Sequence, residues 1–310
     1  MTVIDLHTRK VAAPPECSVL CLGNFDGVHI GHRELALRTI QKKDELLKTY
    51  PNVKSGAWFF RHAPLAIIKN TKIPLLTTLE QKLDLFEEIG LDLAFIYDYA
   101  DIGSHSPEEF VSQVLKSDCN CLYAVCGYNF RFGKNAAGDA TMLSSLMDGQ
   151  VSVVDEITLG DHKVSSTIIR GLLTNGEIEK ANALLGRSFS ICEKVIHGKR
   201  LGRTIGSPTI NQILPEGSVI LKRGIYVSLT HIGQKTYRSV TNVGLRPSVE
   251  CSEQLNCETY IIDFEGDLYD RKIKVEFLAR LRDEIKFSSV DQLKEQIEKD
   301  VKATIEYFNK

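Results

Sequence analysis

Between Cys17 and Gly186 short apolar runs alternate with helix-like stretches, and beyond Gly186 that alternation stops. Ser18-Val19-Leu20-Cys21-Leu22 reads as a buried strand ending in glycine. Gly31 to Tyr50, rich in Leu, Lys, Arg, Glu and Gln, reads as the helix that follows. Ala57-Trp58-Phe59-Phe60, Leu93-Ala94-Phe95-Ile96-Tyr97 and Tyr123-Ala124-Val125-Cys126 are three further strands. Between them a capping signal over Thr78 to Gln81 opens a helix that closes near Gly90, and Ser106 to Leu115 is another. Strands separated by helices pair side by side through crossovers, which predicts parallel βαβ units in an α/β doubly wound sheet. Ligands of such sheets lie at the carboxyl ends of the strands.

The second half carries β-branched and aromatic runs joined by short turns. Gly224 to Thr230 and Thr236 to Val240 flank Gly233, and Glu258 to Phe264 and Lys272 to Phe277 flank Glu265-Gly266-Asp267. Read as two hairpins, they predict a small antiparallel β-barrel. A C-terminal helix follows, capped by Ser289 with Gln292 at the box position, and Leu293, Ile297, Val301 and Ile305 give it one apolar stripe. A chain of 310 residues exceeds one comfortable core. The expected domains are therefore 1–186 and 187–310.

With 38 basic and 40 acidic side chains the formal charge is -2, which gives no electrostatic reason for nucleic acid to be the partner. No apolar stretch approaches the roughly 20 residues that cross a bilayer, so no membrane association is expected. Met1 to Lys10 lacks the apolar core of a signal peptide. The eight cysteines show no CxxC pair, and Cys119 and Cys121 read as ordinary thiols rather than metal ligands. Reduced thiols point to the cytoplasm.

The chemistry-bearing segment is Gly23-Asn24-Phe25-Asp26-Gly27-Val28-His29-Ile30-Gly31-His32, where the first strand turns into the first helix. Gly23, Gly27 and Gly31 let the backbone bend tightly and approach a bulky anion, and the helix start offers N–H groups to phosphate. His29 and His32 are then placed to stabilise charge on the α-phosphate of a nucleotide during displacement. By itself this HxGH run supports nucleotidyl transfer to an unspecified acceptor, and a glycine-rich turn with incidental histidines remains open. Downstream, Ser165-Ser166-Thr167-Ile168-Ile169-Arg170 would alone be read as a helix cap.

Taken together with Gly127-Tyr128-Asn129-Phe130-Arg131-Phe132-Gly133-Lys134 and Leu184-Leu185-Gly186-Arg187, these segments resemble, in order and over nearly the whole chain, the bacterial bifunctional riboflavin kinase/FMN adenylyltransferases. The resemblance implies a Rossmann-like nucleotidyltransferase domain of the HxGH type, followed by a riboflavin kinase barrel. It implies ATP-dependent conversion of riboflavin to FMN and adenylyl transfer to FMN, giving FAD and pyrophosphate. ATP, riboflavin, FMN and FAD are thus the expected partners, with Mg²⁺ accompanying ATP. Gly23, Asn24, Phe25, Asp26, Gly31, Asn129, Phe130 and Arg131 fall to the nucleotide and flavin pocket, Ser165, Ser166 and Thr167 to a phosphate loop, and Arg170 to the departing pyrophosphate. Without the resemblance, Phe130 and Phe132 read as core or loop-anchoring aromatics. Two departures touch this half: Arg61-His62-Ala63-Pro64 replaces a Pro-His-Pro triplet, and Ile168 stands where arginine is common.

In the second half Gly198 to Asn211 is a glycine-punctuated basic loop leading to Pro208-Thr209-Ile210-Asn211. Gly198, Gly202, Arg203 and Gly206 are suited to hold phosphates, and Thr209 and Asn211 offer neutral oxygens to Mg²⁺. The family places its kinase metal site at this Pro-Thr-x-Asn and its catalytic base at Glu258, read here as a carboxylate at a strand mouth. Ser207 departs from a usual phenylalanine, and Asn242 to Pro247 and Leu281 to Glu284 match supporting segments. Transferases making a nicotinamide or pantetheine adenylate share HxGH, but the Pro-Thr-x-Asn barrel has no role in them.

Overall fold

A computed structural model describes residues 1–6, 16–68, 71–198, 208–246 and 254–309. The chain forms two compact units, Met1–Ser166 and Thr167–Lys310.

In the first unit six strands make one parallel sheet: β1 (Thr2–Asp5), β2 (Ser18–Leu22), β3 (Lys54–Phe60), β4 (Leu93–Tyr97), β5 (Cys121–Gly127) and β6 (Val151–Val154). Their order is β1-β4-β3-β2-β5-β6, so the winding reverses beside β2. The loops after β2 and β5 therefore open on the crevice where doubly wound sheets take ligands. Alternation assigns side chains to two cores. Leu20, Leu22 and Trp58 join Phe95, Phe110 and Leu143 on one face. Cys21, Ala57 and Phe59 join Phe25, Leu35 and Phe86 on the other. Burial pushes the Cys21 and Cys121 thiols up to about 12, so they behave as apolar filler.

Helix α1 (Ile30–Leu46) and helix α2 (Leu79–Ile89) cover the second face. The capping box forms as expected: Thr78 accepts from the Gln81 N–H, and Gln81 returns the bond to the Thr78 N–H. Gly90 ends the helix in a left-handed cap. Lys82 lies on the apolar stripe with Leu79, Leu83 and Phe86, and its residue is only 7% exposed. Desolvation lowers its pKa to about 8, against a smaller opposing effect of Asp26.

The second unit begins within helix α3 (Ser166–Asn175), which leads to helix α4 (Ile178–Leu185). The antiparallel strands are β7 (Phe189–Lys194), β8 (Thr209–Ile213), β9 (Gly224–Ile232), β10 (Lys235–Arg246), β11 (Gln254–Ile261) and β12 (Lys272–Arg282), in the order β7-β12-β9-β10-β11-β8. Helix α4 joins the barrel through Asn182, which donates to the Phe277 carbonyl at 2.8 Å and accepts from the Phe189 N–H at 2.7 Å. The first expected hairpin forms as β9 and β10. The second does not. β11 pairs with β10 and β8, whereas β12 pairs with β9 and β7. Both edges of β11 are already occupied, so the chain crosses to the far side of β9 before continuing.

The sheet curls until its end strands meet. The Ile196 N–H donates to the Asn211 carbonyl at 2.8 Å, and the buried Gln212 amide donates to the carbonyls of Glu193 and Ile273, each at 2.7 Å. The interior carries a ladder of fully buried hydroxyls. Ser228 bonds Ser239 at 2.9 Å and Thr241 at 2.7 Å, Thr230 donates to Ser239 at 2.9 Å, and Thr241 bonds Thr259 at 2.9 Å. Helix α5 (Val290–Phe308) covers part of the outer face, with Val301 and Ile305 packed on Ile225, Val240 and Ile262. Ser289 caps it by accepting from the Gln292 N–H, while the Gln292 side chain accepts from Ser288 rather than Ser289.

Two energetic consequences are testable. Asp300 accepts bidentately from Arg282, at 2.8 and 2.6 Å, and also from Gln296 at 2.9 Å. Asp300→Ala strands a largely covered guanidinium and is expected to cost roughly 3 kcal/mol, the lower end of the range for broken buried pairs. Differential scanning calorimetry should show a lower Tm, partly recovered by an R282M/D300L double variant. For Lys82 the folded pKa lies below the unfolded value of 10.5, so the unfolded chain binds the extra proton and stability from this group rises with pH between about 8 and 10.5. The Tm difference between wild type and Lys82→Met is expected to move in favour of the wild type across that window.

Candidate functional sites

The loop after β2 departs from its expected construction. Of its three glycines only Gly27 has a positive φ, at 86°, whereas Phe25 and Val28 sit at 53° and 38°. A β-branched residue in that region costs on the order of 1–3 kcal/mol and persists only when its surroundings over-determine it. Four tethers do so. The Asp26 carboxylate accepts from the Leu76 N–H at 3.0 Å and the Thr77 N–H at 3.3 Å. Thr77 Oγ1 accepts from the Gly27 N–H at 3.0 Å. Lys82 Nζ donates to the Asn24 carbonyl at 2.8 Å, and Ser166 Oγ donates to the Asp26 carbonyl at 2.8 Å.

This turn delivers the HxGH histidines. His29 caps α1, its Nδ1 accepting from the His32 N–H at 3.3 Å. An accepting Nδ1 leaves the proton of the neutral ring on Nε2, which makes that nitrogen a donor. The two rings stack with centroids 3.6 Å apart, and Phe25 meets His32 edge-on at 5.2 Å. A Cβ on Gly31 would come within 3.3 Å of the His29 ring, and one on Gly23 within 3.2 Å of Phe25. At these two glycines the constraint is thus close approach rather than positive φ. Asn24 is exposed beside them.

Of the other expected residues, Ser165 is half-buried and Ser166 directs its hydroxyl at the turn just described. Thr167 and Arg170 follow in α3, in the second unit. After β5, the Phe130 N–H donates to the Gly127 carbonyl at 3.0 Å in a tight turn, with Asn129 exposed. Phe130 is partly buried against the sheet core and stacks on buried Phe132, with centroids 5.8 Å apart. The exposed Arg131 pairs with Asp139 at 3.7 Å. Arg61 is held between Asp5 at 2.5 Å and Asp98 at 3.3 Å. The residue that departs from Pro-His-Pro therefore ties together the ends of β1, β3 and β4.

On the barrel, register assembles the second site. Asn211 of β8 lies opposite Glu258 of β11, which in turn lies opposite Asn242 of β10. Glu258 was expected at a strand mouth but lies mid-strand, because β11 begins at Gln254 and pairs on both sides. The buried Asn256 shares the face of Glu258, and its Nδ2 donates to Asn211 Oδ1 at 3.2 Å and to Glu258 Oε1 at 3.1 Å. Asn211 is 8% exposed, and a Cβ on Gly198 would lie 2.5 Å from its Nδ2, so a larger residue there would displace the amide. Thr209 and Asn211 line a cavity of about 340 Å³ together with Val195, Gly198, Phe264 and Tyr269. Glu258 borders Asn211 from the next strand and is not part of that lining. Of the supporting segments, Gly244 abuts Glu284, whose Oε1 would be 2.7 Å from an added Cβ. Gly202, Arg203, Gly206 and Ser207 lie outside the described residues.

Sequence reasoning missed Lys82, Thr77 and Asn256. Lys82 had one signal, a charge inside an apolar helix stripe. Asn256 had one only once β11 is known to start at Gln254, since residues two apart share a face. Among the described residues no group of three or more His, Cys, Asp or Glu side chains could hold a metal.

Comparisons with known proteins agree with this division. The family model for FAD synthetase matches residues 12–168, and the one for riboflavin kinase matches residues 185–308. A Bacillus subtilis protein named bifunctional riboflavin kinase/FMN adenylyltransferase is 34% identical over 299 residues, covering 94% of this chain and 93% of its own. The Escherichia coli K12 protein of the same name is 34% identical over 302 residues, covering 96% and 94%. A solved structure described as a macrolide-efflux protein from Streptococcus pneumoniae is 28% identical with a TM-score of 0.87, covering 98% of this chain and 99% of that one. That description speaks of transport, yet no described helix here is long and apolar enough to cross a membrane. Two family models in succession and relatives aligned nearly end to end place the chain in the bifunctional riboflavin kinase/FMN adenylyltransferase family.

Proposed function

We propose that this chain makes FAD in two ATP-dependent steps, phosphorylating riboflavin to FMN with residues 187–310 and adenylylating FMN with residues 1–186. The observation that carries the reading is the presence, in one chain, of a nucleotidyl-transfer turn and a strand register that sets Asn211 against Glu258.

In the kinase step Glu258 accepts the proton of a riboflavin ribityl hydroxyl as that oxygen attacks the γ-phosphorus of ATP, with ADP leaving. Asn256 orients the base and the metal-site amide through one nitrogen. Thr209 and Asn211 fit Mg²⁺: both line the cavity and carry neutral side-chain oxygens, and Asn211 is seated against a glycine that leaves it room. The cation, when bound, neutralises charge on the ATP phosphates. Gly198 starts the loop whose Gly202, Arg203 and Gly206 we assign to those phosphates.

In the transfer step an FMN phosphate oxygen attacks the α-phosphorus of ATP and pyrophosphate leaves. His29, donating from Nε2, and His32 stabilise the charge that builds on the α-phosphate, while Gly23 and Gly31 allow close approach. Ser165, Ser166, Thr167 and Arg170 are assigned to the pyrophosphate side. Asn24, Phe25, Asp26, Asn129, Phe130 and Arg131 are assigned to the pocket, Asp26 and Phe25 by shaping it from below. The cytoplasm is the compartment this reading assigns, supported by buried thiols at Cys17, Cys21, Cys119, Cys121, Cys126 and Cys257.

Incubating the protein with riboflavin, ATP and Mg²⁺ and separating the flavins chromatographically should yield FMN and then FAD. FMN alone would leave only the kinase half of the proposal, and flavin binding with no ATP turnover would make the chain a regulatory binder. His32→Ala is expected to lower FAD formation by about 10²–10³-fold with FMN formation intact. Glu258→Ala should do the reverse when FMN is supplied, lowering kinase turnover by about 10²–10⁴-fold. Asn211→Ala should raise the Mg²⁺ concentration needed for FMN formation and leave FAD formation from FMN unchanged.

A further inference from the structure

Lys82 is a buried ammonium that the proposed chemistry does not use. Its Nζ lies 4.7 Å from the centroid of the Phe59 ring and donates to the Asn24 carbonyl at 2.8 Å. Phe59 meets Phe25 edge-on at 6.3 Å, and Phe25 meets His32 at 5.2 Å, so the contacts run from Lys82 to the HxGH histidine. A core of this kind would be filled at lower cost by methionine, because a buried ammonium loses its hydration and regains only part of it from one carbonyl and the nearby Asp26.

The orientation of one peptide explains the placement. Every described peptide bond is trans, so the C=O of Asn24 and the N–H of Phe25 point in opposite directions within one plane. Lys82 draws that carbonyl inward, which turns the Phe25 N–H outward. Three neighbouring donors are spent inside the protein: Gly23 N–H on the Trp58 carbonyl, Gly27 N–H on Thr77 Oγ1, Val28 N–H on the Phe25 carbonyl. Among the described residues no acceptor takes the Phe25 N–H. Were the peptide flipped, a carbonyl dipole would face the phosphates that the loop receives.

We propose that Lys82 is a positioning residue for adenylyl transfer, holding the Asn24–Phe25 peptide so that the Phe25 N–H meets an ATP phosphate oxygen. The proposal rests on the adenylyl-transfer reading above, and a wild type that makes FMN but no FAD would sink both. With that activity present, Lys82→Met is expected to lower kcat/KM for ATP in FAD formation at least tenfold. KM for FMN and the kinase kcat/KM of the same polypeptide should stay within twofold, and Tm at pH 7 should not fall. Lys82→Gln, which keeps a donor without the charge, should recover at least threefold over Lys82→Met. FAD formation within twofold of wild type in Lys82→Met would overturn the proposal. So would a joint fall of both activities and Tm, which is the mark of a merely structural residue, or a glutamine variant no better than methionine. Should Lys82→Met fail to fold, Lys82→Gln decides alone: FAD formation within fivefold of wild type supports the role, and a tenfold or greater loss overturns it.

Discussion

A turn that holds Phe25 and Val28 in the left-handed region cannot persist on local preference. The strain, on the order of 1–3 kcal/mol per residue, is comparable to what burying a Phe or Val side chain contributes, about 1.5–3 kcal/mol. Both side chains are in fact buried, at 0% and 3% exposure. Burial therefore roughly balances strain, and the tethers from Asp26, Thr77, Lys82 and Ser166 decide the outcome. The stacked histidines, the cap of α1 and the crevice beside β2 all inherit their geometry from this turn.

The barrel site has a different origin. Asn211, Asn256 and Glu258 themselves have no positive φ, and their meeting follows from strand register. A side chain on one strand is opposite its partner because hydrogen bonds place it there, and Asn256 links the two across the ladder. One site depends on a locally strained loop, and the other on long-range pairing between strands far apart in sequence.

That contrast explains what could be read in advance. The parallel strands and the Thr78 capping box rest on local periodicity and short-range hydrogen bonds, and both appear as expected. The HxGH segment was visible because its residues are contiguous. The pairing of β11 was not, because Glu258 to Phe264 and Lys272 to Phe277 carry the same strand signal whether or not they touch, and only competition for the edges of β11 separates them. The tethers of the turn were equally hidden: the roles of Asp26 and Lys82 in holding it emerge only when the fold brings together residues 50 or more positions apart. Arg61 read as a departure from a motif, yet its carboxylate partners Asp5 and Asp98 sit at the ends of strands that neighbour it only in space.

The hydroxyl ladder inside the barrel has a bearing on the site outside it. Alternation of inward and outward side chains penalises a slip of one residue, since every face would be exchanged. A slip of two leaves inside and outside unchanged, and apolar contacts distinguish it poorly. Ser228, Thr230, Ser239, Thr241 and Thr259 do distinguish it, because their short directional bonds span β9, β10 and β11 in one alignment only. The ladder thus works as a key to registration among β9, β10 and β11, and through the Thr241–Thr259 bond it favours the alignment in which Glu258 stands opposite Asn242.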